Sequence, residues 1–483
     1  MIQLTLREVA EAVGGTLHDA TGDEVVTGSV EFDSRAVTVG GLFVAMPGEK
    51  VDGHDFAAAA VESGAVGVLA ARPVDAPAVI VPPVTDAHTR SVALTGDTDG
   101  SGAAVLAGLA ALARAVVDRL DVAVVGVTGS SGKTSTKDLI AQLLAPMGPT
   151  VAPPGSFNNE LGHPWTVLRA DEQTKHLVLE LSARGPGHIA ALCDVAPPRI
   201  GVVLNVGSAH LGEFGSRADI AKTKGELVEK LSANGVAVLN ADDPLVAAMA
   251  DRTDARVVLV GEAANAHVRA EKIELDDQAR ASFTMITPQG DAQVSLALHG
   301  AHHVGNALAA AAVALELGAT PQDIADRLSG ARRVSARRME VTTRPDGVTV
   351  VNDSYNANPE SVRAALKTLA TMARTGERRR SWAVLGVMGE LGDSAVAAHD
   401  EIGRLAVRLD INRLVVVGDQ ARAMHQGAHL EGSWGEESVL VPDVDAAVAL
   451  LRAELAPGDV VLVKASKAAA LWRVADALLE DTK

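Results

Sequence analysis

The sequence predicts an α/β protein of three domains, and three observations carry that expectation. An apolar stretch, Ala123–Thr128, runs into a Gly/Ser turn and then a helix to about Ala145. Short apolar runs alternate with Ala- and Leu-rich helical stretches on both sides of residue 331, the pattern of two mostly parallel sheets. A chain of 483 residues is also too long for one hydrophobic core. We expect a small N-terminal α/β domain at 1–97, a central phosphate-loop domain with a mostly parallel sheet at 98–331, and a doubly wound, Rossmann-like domain at 332–483.

Composition narrows the function. A net charge of −18 argues against a nucleic-acid partner, because binding a polyanion needs a basic face. Aromatic residues are 2% of the chain, so base-stacking platforms are not expected either. A nucleotide substrate stays open, since a phosphate needs only a few local cations. Cys193 is the one cysteine, which rules out an internal disulfide and a cysteine-based metal site and fits a reducing compartment. Met1–Glu8 shows no basic segment followed by an apolar core. The longest apolar run, about 103–113, is too short to span a bilayer. We therefore expect no membrane partner and a cytoplasmic location.

Along the first domain, Thr5 is placed to cap a helix over Leu6–Val13. Strands at Leu42–Met46, Val66–Ala70 and Val79–Val81, separated by Ala-rich helix, predict a three-layer unit. Ser34 and Arg35 fall on a turn, where they would hold a diphosphate or uracil, or simply decorate the surface. Gly96–Gly102 is rich in turn formers and reads as a linker.

The central domain opens on Thr128-Gly129-Ser130-Ser131-Gly132-Lys133-Thr134. A strand, a glycine turn and a helix N-terminus present backbone N–H groups and a favourable dipole to an anion. Lys133 would reach the β- and γ-phosphates, and the Thr134 hydroxyl would ligate Mg²⁺. Val127 stands where the usual pattern has its first glycine. Further strands are expected at Leu177–Leu181, Ile200–Val206, Val236–Asn240 and Val257–Val260. Ligands bind at the carboxyl ends of such strands, so Glu180 and His210 are candidate Mg²⁺ ligands. The carboxylate suits that ion better than the imidazole. Gly155–Gly162 is a loop rich in amide donors, and Lys222–Glu226 reads as helical. Residues 265–298 alternate polar and apolar, an antiparallel appendage, before a long helix near Val304.

The third domain begins at a basic run, Arg332, Arg333, Arg337 and Arg338. Strands are expected at Val348–Val351, Ala383–Leu385, Leu414–Val417 and Val460–Val463. Polar turns follow at Asn352–Pro359, which holds the only tyrosine, at Gly386–Gly392 and at Lys464–Lys467. No Gly-x-Gly-x-x-Gly follows a strand here, so a nicotinamide dinucleotide is not favoured.

Taken together, these segments resemble the ATP-dependent Mur ligases of peptidoglycan synthesis, over nearly the whole chain. T-G-S-S-G-K-T is that family's form of the phosphate loop, which accounts for Val127. N-D-S-Y-N-A-N-P at Asn352–Pro359, Glu390-Leu391-Gly392 with His399 following, and Val461-Leu462-Val463-Lys464 carry the finer likeness. Asp-Asn-Pro-Arg, the motif of the diaminopimelate- or lysine-adding member, is absent.

The resemblance implies an ATP- and Mg²⁺-dependent amide ligase acting as a monomer. It would join UDP-N-acetylmuramoyl-tripeptide to D-alanyl-D-alanine through an acyl phosphate. It also implies that Thr128–Thr134 cradle the ATP phosphates, and that Thr134, Glu180 and His210 hold the metal. Lys224 matches a lysine that some members carry as a carbamate. Asn306, Arg338, Asp353 and Asn356 match nucleotide contacts. Ser34, Arg35, Asn158, Asn159, Tyr355, Lys464 and Ser466 match substrate contacts. The departures are Ser156-Phe157 for Asn-Leu, His303 for Asn, Val387 for Asp, and Ala465 and Lys467 for Gly and Arg. Rival readings are a sister amino-acid-adding ligase, a folate polyglutamate ligase, and a nucleotide-binding module without catalysis. The Asp33-Ser34-Arg35 stretch speaks against the folate enzyme.

Overall fold

The computed structural model describes residues 1–84, 94, 97–208, 211–432 and 435–480. Among them three large sheets of five, nine and six strands succeed one another along the chain, with a two-stranded pair, Leu4–Thr5 and Val25–Val26, beside the first. His210 lies outside the described residues.

The N-terminal sheet runs Thr16–His18, Ala78–Ile80, Ala65–Ala70, Gly41–Val44, Val30–Glu31. Its helix Leu6–Val13 is capped by Thr5 as expected, and Glu8 completes a capping box: the Thr5 hydroxyl accepts from Glu8 N and the Glu8 carboxylate accepts from Thr5 N. Phe43, Val68 and Ala78 face helix Ala57–Glu62, while Leu42, Val44 and Leu69 face Leu6–Val13 and the long helix Ser101–Val117. The unit is three-layered as expected, but one of its layers is that long helix. Ser101 and Gly102, read as linker, already belong to it.

The central sheet runs Gly290–His299, Arg280–Thr287, Val268–Leu275, Arg256–Gly261, Val236–Asn240, Ile200–Val203, Ala123–Thr128, His176–Glu180, Thr150–Val151. The strands from Thr150–Val151 through Val268–Leu275 are parallel, and the last two are antiparallel. Alternation sorts its side chains. Val125, Val127, Val178, Ile200 and Val202 meet helices Lys133–Leu144 and His303–Glu316. Val124, Leu177, Leu179 and Val203 meet Ser101–Val117 and Arg217–Glu229. From Ala123–Thr128 the chain first fills one side of the sheet and then crosses to the other. The glycine turn after Thr128 therefore sits where strand order reverses, the usual place for a ligand crevice. Strand Ile200–Val203 is shorter than expected, because Asn205 turns out to hold the phosphate loop.

The third sheet runs Glu340–Thr343, Thr349–Asn352, Val460–Lys464, Ser381–Leu385, Arg413–Val417, Ser438–Val441. Only its first strand is antiparallel to its neighbour. Val351, Leu385, Val416 and Leu462 face helices Pro359–Arg374 and Ala395–Arg408, and Val350, Val384, Val415 and Val463 face Val444–Glu454 and Trp472–Glu480. Helices thus cover both faces, the doubly wound arrangement.

Candidate active site

The turn after strand Ala123–Thr128 requires glycine at 132. Its φ is +82°, and a Cβ there would lie 2.7 Å from Asn306 Oδ1. Asn205 clamps the turn from the neighbouring strand: Ser131 N donates to its Oδ1 (2.9 Å) and its Nδ2 donates to Ser131 O (3.1 Å). Gly207 N donates to Ser130 Oγ (2.8 Å). Helix Lys133–Leu144 starts directly after the turn.

A cleft of ≈ 600 Å³ opens over this turn. The central domain supplies Ser130–Thr134, Asn158, Asn159, Glu180, His303 and Asn306, and the third domain supplies Arg338, Asp353, Tyr355, Asn356 and Lys464. Glu180 lies at its floor, 1% exposed. Its Oε2 accepts from Thr134 Oγ1 (2.9 Å), and its Oε1 accepts from Ser156 Oγ (2.8 Å) and Asn158 Nδ2 (2.6 Å). One carboxylate and two hydroxyls form a hard oxygen donor set, the chemistry that suits Mg²⁺. The residues present therefore fit that ion.

The cations Lys133, Arg338 and Lys464 line the cleft. Lys133 Nζ donates to Gly129 O (2.7 Å); burial lowers its pKa, and Glu180 opposes that effect. Arg338 stacks over Tyr355 (4.2 Å), donates through Nη2 to Thr134 Oγ1 (3.0 Å), and has a buried Nε with no partner among the described residues. That donor is available to an anion. Lys464 Nζ donates to Asp353 Oδ2 (2.6 Å) and Asn356 O (2.8 Å). Lys224 lies buried on helix Arg217–Glu229, where burial and the Lys133 charge push its pKa well below the usual lysine range. A lowered pKa raises the share of the neutral, nucleophilic amine.

The third domain closes on the central one through direct contacts. Asn358 Nδ2 donates to Ser130 O (3.1 Å), Ser208 donates to the Glu360 carboxylate, and Arg184 pairs with Glu390 (3.1 Å). A Cβ on Gly212 would meet Gly392 N at 2.6 Å, so the backbones touch there. His399 accepts from Met388 N (2.9 Å), fixing the Gly386–Gly392 turn.

Some expected residues stand elsewhere. Thr128 is buried, bonding Leu181 O (3.0 Å) from behind the loop. Ser34 and Arg35 sit on a single exposed turn, Arg35 paired with Asp33 (2.7 Å), and only the adjacent Phe32 reaches the cleft. Ser466 holds Gly389 N (2.7 Å) and does not line the cleft. Asn205, Asn358 and Glu360 were missed. Their roles depend on contacts between distant segments, although Asn205 is a polar residue just past a strand and Asn358 belongs to the polar turn Asn352–Pro359.

Comparison with known proteins agrees with this layout. The chain matches the model for the Mur ligase family catalytic domain at 28–97, for the Mur ligase middle domain at 127–314, and for the Mur ligase glutamate ligase domain at 337–467. It is 58% identical to the UDP-N-acetylmuramoyl-tripeptide–D-alanyl-D-alanine ligase of Mycobacterium tuberculosis, covering 100% of this chain and 98% of that one. To the ligase of the same name from Escherichia coli it is 33% identical, covering 100% and 99%. A crystal structure of MurF from Acinetobacter baumannii superposes with a TM-score of 0.84 at 30% identity, covering 99% of each chain. MurF from Thermotoga maritima in complex with ADP gives 0.77 at 29% identity, covering 95% of this chain and 98% of that one.

Proposed function

This chain belongs to the Mur ligase family, and on that premise we propose that it joins D-alanyl-D-alanine to UDP-N-acetylmuramoyl-tripeptide at the expense of ATP. The product is the UDP-MurNAc-pentapeptide, the last cytoplasmic precursor of peptidoglycan. The observation that carries the reading is the meeting of Lys133, Thr134, Glu180 and Arg338 beneath residues of a second domain.

An amine does not displace oxide from a carboxylate in water. ATP removes that obstacle. The tripeptide carboxylate attacks the γ-phosphorus, the bond to the ADP oxygen breaks, and an acyl phosphate forms. The dipeptide amine then attacks the acyl carbon, loses a proton, and expels phosphate from a tetrahedral intermediate. Catalysis of such steps is mainly positioning and charge neutralisation. Lys133 and the N-terminus of the helix it begins hold the phosphates, and Arg338 faces the charge that develops on them. Thr134 and Glu180, with Ser156 beside them, would hold Mg²⁺, and His210 is assigned to it from the sequence. Bound there, the ion neutralises phosphate charge. Lys224, as a carbamate, would turn a repelling cation into an anionic oxygen donor.

Water would destroy the acyl phosphate. The Asn358–Ser130 and Glu360–Ser208 contacts exclude it by drawing the third domain over the loop. Asn158, Asn159, Tyr355 and Lys464 line the side where the two substrates meet, and Ser34 and Arg35 mark the approach of the UDP end. We place the enzyme in the cytoplasm as a monomer; no helix among the described residues is long and apolar enough to cross a membrane.

The test is phosphate release from ATP and Mg²⁺ with UDP-MurNAc-tripeptide, with and without D-Ala-D-Ala. Release that needs both supports the reading. Release with a single amino acid and a shorter UDP-peptide instead would assign the chain to a sister ligase.

A further inference from the structure

The helix that begins with Lys133 also grips the linker between the second and third domains. Asp138 and Gln142 lie one turn apart on it and share a face. The Gln142 side-chain amide pairs with the backbone of Arg332 in both directions: Nε2 donates to Arg332 O (3.0 Å) and Oε1 accepts from Arg332 N (3.0 Å). Asp138 Oδ2 accepts from Ser335 Oγ (2.7 Å) and Ser335 N (3.2 Å). Its other oxygen is held by Lys137, which is 1% exposed and also donates to Pro153 O (2.8 Å). A buried ammonium therefore fixes the carboxylate from its own side, leaving one oxygen for the linker.

Beyond Ser335 the backbone bends sharply. Arg337 and Met339 both take positive φ, +57° and +46°, which costs energy for residues with a Cβ. Arg338 lies between these two strained residues and points back to Thr134 Oγ1 (3.0 Å). The far side of the bend belongs to the third domain: Met339 N donates to Asp353 Oδ1 (3.0 Å), Tyr355 N donates to Arg337 O (3.1 Å), and Arg337 lies over Trp472 (4.3 Å). Arg338 is thus placed by two held ends, one on the phosphate-loop helix and one on the closing domain.

We propose that Asp138 and Gln142 are positioning residues: through Ser335 and Arg332 they fasten the linker to the phosphate-loop helix and so fix Arg338 against the nucleotide phosphates. Loop, helix and the near half of the linker form one rigid part, and domain closure is absorbed at 337–339. This rests on the ligase reading for the identity of the step that Arg338 serves.

The experiment is a double-mutant cycle on the full-length protein. Gln142→Ala with Ser335→Ala opens the grip without stripping Lys137 of its partner. We expect kcat to fall roughly tenfold with the KM for the UDP substrate unchanged, since small misplacements of a charge-stabilising group are costly. In an Arg338→Ala background the same pair should change kcat by less than about twofold, because the residue it positions is gone. A purely structural tether would instead give the same tenfold loss in both backgrounds, and that result overturns the proposal, as does unchanged kcat in the folded double variant. Should the pair fail to fold, Gln142→Ala alone enters the same cycle, with roughly a threefold loss expected. If the unaltered protein ligates nothing, the ligase reading falls, and the cycle is read from the dissociation constant of ADP, with the same criterion of non-additivity.

Discussion

Thr134 Oγ1 and Glu180 Oε2 lie 2.9 Å apart, joining the first turn of the phosphate-loop helix to the end of the neighbouring strand. Parallel pairing sets Glu180 beside Val127, so the carboxylate ends level with the loop. The pair is buried, and Ser156 and Asn158 complete its hydrogen bonding. Around this point a nucleotide phosphate, a divalent cation and a carboxylate substrate can be brought together.

Lys133→Ala should lower kcat by roughly 10²-fold or more, the scale seen when one charge-stabilising group is removed from a transition state. Steady-state phosphate release checks it. A variant turning over at near-normal rate would remove Lys133 from the assignment.

Glu180→Gln keeps the shape of the side chain and its bonds to Ser156 and Asn158 but loses the anionic ligand. The Mg²⁺ concentration for half-maximal activity should rise roughly tenfold or more. The melting temperature without metal should fall, because the buried Lys133 charge loses the carboxylate that offsets it. An unchanged Mg²⁺ requirement would show that the ion is held elsewhere.

Lys224 is buried and its pKa lies well below the usual lysine value. Only a neutral amine adds CO₂, and the lowered pKa favours that form. A ¹³C-labelled bicarbonate exchange followed by NMR should give one carbamate signal that Lys224→Ala abolishes. A signal surviving that substitution, or none in the active protein, would contradict the assignment.

Asp52 gives a pH signature remote from catalysis. Burial acts to raise its pKa, but bonds from Arg72 (2.8 Å) and His54 outweigh this and bring it down to about 2 from 3.8. A carboxylate depressed in the folded state stabilises above its unfolded pKa and loses that contribution as pH falls through its folded pKa. Stability should therefore drop between about pH 4 and pH 2, and Asp52→Asn should flatten that stretch of an acid-unfolding curve. An identical acid limb in the variant would show that the pair contributes nothing.

Much of this was legible in the sequence because the signals are local. The Thr5 cap, the alternating segment at 265–298 and the glycine turn before Lys133 each contain their own instructions. Contacts between distant segments were not legible. Asn205 looked like a strand's end, and Ser156 like a mere departure until Glu180 came within 2.8 Å. The basic run at 332–338 read as one boundary feature, yet its members do different work: Arg332 offers its backbone to Gln142, Arg337 stacks on Trp472, and Arg338 faces the loop. Only the fold brings those partners within reach.

The central claim is that the tripeptide carboxylate is phosphorylated before the amide forms. The most direct measurement uses UDP-MurNAc-tripeptide labelled with ¹⁸O in its terminal carboxylate, with ATP, Mg²⁺ and D-Ala-D-Ala. One labelled oxygen should appear in the released phosphate for each amide formed. Ligation that releases unlabelled phosphate would contradict the account.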